Sequence, residues 1–227
     1  MTLHRSFLAT VAAAALAALT LSPAIAQDAA PETEAAQDQA EAPEGRVLDD
    51  IALGDESAPV TFIEYASFTC NHCANFHTST FGELKSEYID TGKVRFIQRD
   101  VYFDQVGLWA GILARCGGDD KYYAVSDMLF DEQQKWLGGG SGDEIASNLR
   151  RIGLKAGMTE DQMTACWEDT ATAEQLIANF QQNATTDQIE ATPTFMIGGE
   201  KVMNAPWEEL KGVIDTKLAE VEPAAAE

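Results

Sequence analysis

Basic residues are scarce in this 227-residue chain: 15 Lys and Arg stand against 37 Asp and Glu, a formal charge of −22. Nucleic-acid binding draws on cationic side chains that displace phosphate counterions. A surface this acidic repels phosphate, which argues against DNA, RNA and anionic membrane surfaces as partners. Cysteine is scarce too. Four are too few for a small scaffold held by many disulfides. They fit two pairs, or one pair and two free thiols. No internal repeat is visible. Against these absences, 45% of the chain is hydrophobic, enough for a packed core.

The N-terminus reads as an export signal. Arg5, with His4, precedes an uncharged apolar stretch from Phe7 to Leu21, and Ala24 to Ala26 form a small-x-small cleavage site. The apolar stretch falls short of the about 20 residues a spanning helix needs. No cysteine lies in or just after it, which argues against lipid anchoring. Cleavage after Ala26 is expected, with the mature protein in the periplasm, where disulfides persist. Residues 27 to 45 carry six acids and neither a base nor an aromatic ring. They read as an acidic disordered tether. The remainder still carries a charge of about −17. Residues 221 to 227 read as a tail.

Between these ends the pattern is α/β. Val60 to Tyr65 reads as a buried strand. Cys70 to about Tyr88 has helical spacing and stops at Gly92. Lys93 to Gln98 reads as a second strand, so the three form a strand–helix–strand unit with parallel strands. Residues 104 to 183 read as a helical insertion: Ala110, Leu113 and Ala114 at helical spacing, then Lys121 to Trp136, Ser141 to Ile152, Thr159 to Asp169 and Thr172 to Asn183. Thr159 and Gln162 resemble a capping box. Thr194 to Ile197 and Glu200 to Met203 form a hairpin about Gly198-Gly199. Pro206 opens a last helix, Trp207 to about Ala219. The four tryptophans read as core.

Cys70-Asn71-His72-Cys73 carries the chemistry. It follows a strand and opens a helix, where unpaired N–H groups and the helix dipole favour a thiolate at Cys70. A protonated His72 adds a further cation. Cysteines in such motifs ionise at about 3.5–7.5 instead of about 8.5. A low-pKa thiolate leaves readily and stabilises the reduced form, so the pair gives its disulfide away. Zinc competes poorly: Cys70, Cys73 and His77 make three ligands where a structural site takes four. Ala74 excludes the CxxCH of haem attachment. A purely structural disulfide stays open, though so short a loop constrains the unfolded chain little. No metal and no cofactor are expected.

Two further features are ambiguous from sequence. Glu64 sits mid-strand, six residues before Cys70. It is either on an exposed strand face or a buried acid that moves protons for Cys73. Pro193, in Ala191-Thr-Pro-Thr194, enters a strand. A cis bond there would present the Thr192 backbone to an extended substrate beside Cys70, but X-Pro is usually trans.

With FIEYASFTCNHCANFH (62 to 77), RFIQRDV (95 to 101) and ATPTFMIGGEKV (191 to 202) in this order, the chain resembles the DsbA-like thiol:disulfide interchange proteins of the thioredoxin superfamily. The resemblance implies a thioredoxin-like domain over residues 46–103 and 184–220, with a helical domain inserted at 104–183. It implies Cys70 as attacking thiol, Cys73 as resolving thiol, His72 as a tuning residue, Glu64 as the buried acid and Pro193 as a cis-proline. Asn71 stands where the best-known oxidases carry Pro. Thr192 stands where they commonly carry Val, and Thr there is familiar from the isomerase branch. His77 stands where some members carry an acid. An even cysteine count and export suggest that Cys116 and Cys166 form a second, structural disulfide, with two buried free thiols as the alternative.

The implied activity is a dithiol oxidase that acts on reduced exported proteins and is reoxidised by a quinone-linked membrane partner of the DsbB type. A reductase or isomerase using the same residues is the close alternative, and a non-catalytic holdase the distant one. No dimerisation domain is evident, so a monomer is expected.

Overall fold

The computed structural model describes residues 48–221, so the expected signal peptide, the tether and residues 222 to 227 lie outside the described part. Five strands form one mixed sheet: β1 (Ala52–Leu53), β2 (Val60–Ala66), β3 (Val94–Asp100), β4 (Thr194–Ile197) and β5 (Glu200–Met203), in the order β1-β3-β2-β4-β5. β2 and β3 run parallel, and the other neighbours are antiparallel. β2 lies at the centre and is mostly buried, which its apolar, β-branched sequence suits. Its Glu64 is in register with Gln98 of β3 and Phe195 of β4. β1 was not legible, since two residues carry no periodicity.

The helix expected from Cys70 to Tyr88 is divided. α1 (Asn71–Ser79) ends at Thr80, α2 (Phe81–Leu84) follows, and Lys85–Ile89 form a π-helical turn. The Thr78 and Ser79 hydroxyls donate to the Ala74 and Asn75 carbonyls, the local competition that bends helices. Gly92 then turns the chain at φ +73°, a conformation that glycine adopts without steric cost.

The insertion holds α3 (Gln105–Cys116), α4 (Asp119–Asp131), α5 (Gln133–Trp136), α6 (Gly142–Lys155), α7 (Glu160–Glu168) and α8 (Thr170–Thr186). The amphipathic stretch expected from Lys121 to Trp136 is two helices, interrupted at Glu132. The Trp136 indole donates to the Leu129 carbonyl (2.7 Å) and closes the end of α4. Thr159 accepts from the Gln162 N–H, but the Gln162 side chain reaches the Cys116 carbonyl, so only half a capping box forms. α8 runs three residues past the expected end of the insertion, to Thr186. α9 (Trp207–Val221) takes in Val221, which the sequence assigned to the tail.

Two apolar clusters result. Phe62, Phe76, Phe96, Phe195, Ile197, Leu210 and Ile214 pack around the sheet. Phe68, Cys73, Leu113, Leu129, Trp136 and Leu149 pack beneath the insertion. Of the four tryptophans expected in the core, only Trp136 is fully buried. Trp109, Trp167 and Trp207 are partly exposed. Cys116 at the end of α3 is bonded to Cys166 of α7, 50 residues on. Among the described residues no helix is long and apolar enough to cross a membrane.

Candidate active site

The chain leaves β2, turns through Ser67 to Thr69 and enters α1, with Cys70 at its N-cap in extended backbone (φ −86°, ψ 119°). The turn is fixed from three sides. Cys70 N–H donates to the Ser67 carbonyl (3.0 Å). Thr69 Oγ1 donates to Asp104 (2.8 Å), whose other oxygen caps α3 through the Gly107 N–H. Gln133, 1% exposed, donates from Nε2 to the carbonyls of Phe68 (2.9 Å) and Cys70 (3.0 Å). The neighbouring Gln134 donates to Asn71 Oδ1 (3.1 Å). Asn71, where the resemblance expects Pro, thus ties the motif to α5 of the insertion.

The two motif cysteines are free thiols in opposite surroundings. Cys70 is half-buried. Its ionisation is pushed down from 9.0 to about 5, chiefly by a hydrogen bond from the Cys73 thiol. Burial opposes the shift, and the Thr192 side chain and the Cys73 and His72 backbone N–H groups support it. These N–H groups are the open donors of a helix start. At pH 7 Cys70 is therefore a thiolate. Cys73 is fully buried, and its thiol is held far above the ordinary range by that burial, then by Cys70 and by the Glu64 charge.

Thr192–Pro193 is a cis peptide, and Cys70 Sγ lies 3.4 Å from the Thr192 carbonyl oxygen. Glu64 is fully buried, which removes the exposed-face alternative. Its Oε2 lies 2.8 Å from His77 Nε2. His77 is one turn past Cys73 on α1 and stacks on Phe130 of α4, centroids 4.0 Å apart. His72, expected as a tuning residue, supplies a backbone N–H to Cys70. Its side chain is exposed and lines an open groove with Asn75, Ser79, Thr80, Asn204 and Pro206.

The structure brings together Cys70, Cys73, Glu64, Thr192 and Pro193, and His72 joins them through its backbone N–H. Sequence reasoning missed Gln133, because a polar residue in an amphipathic helix reads as surface. It also missed His77 as the partner of Glu64, although the Cys73-to-His77 spacing of four places both on one helical face.

A polarised dithiol of this kind can accept or donate a disulfide. The half-buried thiolate is the nucleophile and leaving group, and the fully buried thiol is held protonated.

The chain is similar to known proteins. The chain is 31% identical over 172 residues to a putative protein-disulfide oxidoreductase of Rickettsia bellii, covering 75% of this chain and 65% of that one. It is 25% identical to disulfide bond formation protein D of Bacillus subtilis, covering 73% of this chain and 76% of the relative. The chain spans under two-thirds of the length of the Rickettsia relatives, 65% and 61% for R. bellii and R. felis. The crystal structure of alpha-DsbA1 of Wolbachia pipientis superposes with a TM-score of 0.71 at 27% identity, covering 78% of this chain and 94% of that one. Residues 46–216 match the thioredoxin family, and with a helical insertion in the sheet domain and a dithiol at the start of α1 the chain belongs to that family, as a protein of the DsbA type.

Proposed function

We propose that the chain is an exported thiol:disulfide oxidoreductase that works as a dithiol oxidase in the periplasm. The observation that carries this is the asymmetry of the pair: a half-exposed thiolate at Cys70 and a buried, protonated Cys73. Stabilising the thiolate stabilises the reduced form, so the oxidised form is the stronger oxidant.

In the oxidised protein, Cys70 and Cys73 share an S–S bond. A client thiolate attacks the Cys70 sulfur, the Cys70–Cys73 bond breaks, and Cys73 leaves with the electron pair and takes up a proton. A second client thiolate attacks the client sulfur of the mixed disulfide and releases Cys70 as a thiolate. The client has lost two electrons and the site has gained them. The Thr192 backbone is placed to hold the client strand beside Cys70, with Pro193 behind it. A membrane quinone-linked partner of the DsbB type returns the site to its disulfide. In this reading the thioredoxin-like part is 46–103 and 184–220 around an insertion at 104–183, and Cys116–Cys166 is structural.

The test mixes the oxidised protein with a reduced, unfolded client that needs disulfides for activity. Stoichiometric client oxidation is expected from the wild type and none from the variant with Cys70→Ser and Cys73→Ser. Equal recovery of the client by that variant would overturn the oxidase in favour of a holdase.

A further inference from the structure

Cys73 is the leaving group of the first step, yet it is fully buried. A thiolate in such a place is costly, so the proton must arrive as the S–S bond breaks. The groups that could deliver it can be named. Glu64 of β2 acts on Cys73 and is itself buried. Its neighbours in register, Gln98 and Phe195, do not titrate. Tyr123 of α4 feels the Glu64 charge, and its hydroxyl already donates to the Ile51 carbonyl (2.6 Å). His77 is the remaining partner, 2.8 Å from Glu64, with 3% of its side chain exposed. Its Nδ1 is buried without a protein partner, as is Glu64 Oε1. Beyond it, Asp127 on the exposed side of α4 feels the His77 charge, together with Asp131 and Lys85.

We infer that Glu64 and His77 form one buried acid–base dyad, in which His77 is the proton-relay and positioning residue that lets Glu64 serve Cys73. The inference rests on the oxidoreductase reading and assigns His77 a part in it. As client sulfur bonds to Cys70, the Cys70–Cys73 bond breaks and its electron pair goes to Cys73. The dyad gives Cys73 a proton and regains one from solvent by way of His77. In reoxidation the same proton returns from Cys73 to the dyad. A buried carboxylate alone would gain and lose protons against its own desolvation. With an imidazole on Oε2, the proton shifts between two groups at little change in buried charge.

His77→Gln separates relay from structure, because the amide can still donate to Glu64 but cannot carry a proton. The reaction of the oxidised protein with reduced glutathione, and the reverse reaction with oxidised glutathione, are followed from pH 5 to 8 in wild type and variant. General acid–base catalysis contributes about 10²–10⁴-fold. Both directions are expected to slow by at least about 10-fold, in equal measure, so that the reduction potential is unchanged. Wild-type rates in the variant would overturn the inference. So would unequal changes in the two directions, which would make His77 a determinant of the equilibrium instead of a relay. If His77→Gln does not fold, Glu64→Leu with His77→Phe replaces the pair by apolar groups, a change that cores tolerate well. The same loss of rate is expected there, and undiminished exchange would overturn the relay. Failure of the wild type to exchange with glutathione would instead overturn the oxidoreductase reading.

Discussion

Replacing Cys73 by Ala converts a transient mixed disulfide into a stable one. Cys70 remains a nucleophile, half-exposed at the start of α1, and still reacts with a disulfide. Cys73, three residues away, is the group that attacks such an adduct from within the protein. Well-oriented intramolecular groups act at effective molarities of about 10⁵ M or more. Against millimolar external thiols, even a small part of that advantage makes release at least ~10³-fold slower in the variant. The expected result is adducts through Cys70 that accumulate in periplasmic extracts, survive alkylation and disappear on reduction. Cys70→Ser should give none. Cys73 is also the largest source of the low Cys70 ionisation, so Cys70 in the Cys73→Ala variant should ionise at a higher pH than about 5. Its alkylation rate therefore begins to fall at a higher pH than in the reduced wild type. Absence of adducts in the variant would contradict the exchange mechanism.

Removing the second disulfide has a large effect of a different kind. Cys116 and Cys166 close a loop with a sequence separation of 50, for which the chain-entropy account gives about 4 kcal/mol. Native disulfides typically contribute about 2–4 kcal/mol. In a domain of this size each kcal/mol moves the melting temperature by about 2–4 °C. A protein with Cys116→Ala and Cys166→Ala should melt about 10 °C lower. The bond joins α3 to α7, away from the contacts that hold Cys70, so exchange at 25 °C should stay within about 2-fold of wild type. An unchanged melting temperature would contradict a structural role. Loss of exchange in a folded variant would place this disulfide in the redox chemistry.

Much of this architecture could be read from residues alone, for identifiable reasons. β2, β3 and the β4–β5 hairpin have strong β-branched and aromatic runs bounded by Pro or Gly, and these signals are local. Glu64 stood out because a carboxylate amid apolar strand residues is an anomaly. Its burial was not readable, because it depends on β3 and β4 flanking β2 on both sides. The breaks at Thr80 and Glu132 were missed because helical periodicity runs through both, and it does not register the side-chain hydrogen bonds to backbone carbonyls that accompany them. Gln133 was illegible for the same reason: its value lies in two carbonyls 63 and 65 residues away. The contribution of the His72 backbone N–H to Cys70 was not legible, because it depends on Cys70 standing at the N-cap of α1.

The measurement that bears most directly on the proposed oxidase activity is the equilibrium reduction potential of Cys70–Cys73 against glutathione buffers at pH 7. A thiolate held down at about 5 beside a buried thiol stabilises the reduced pair, so a value well above roughly −180 mV is expected. A value near or below roughly −230 mV would contradict the oxidase and make the same residues a reductase or isomerase.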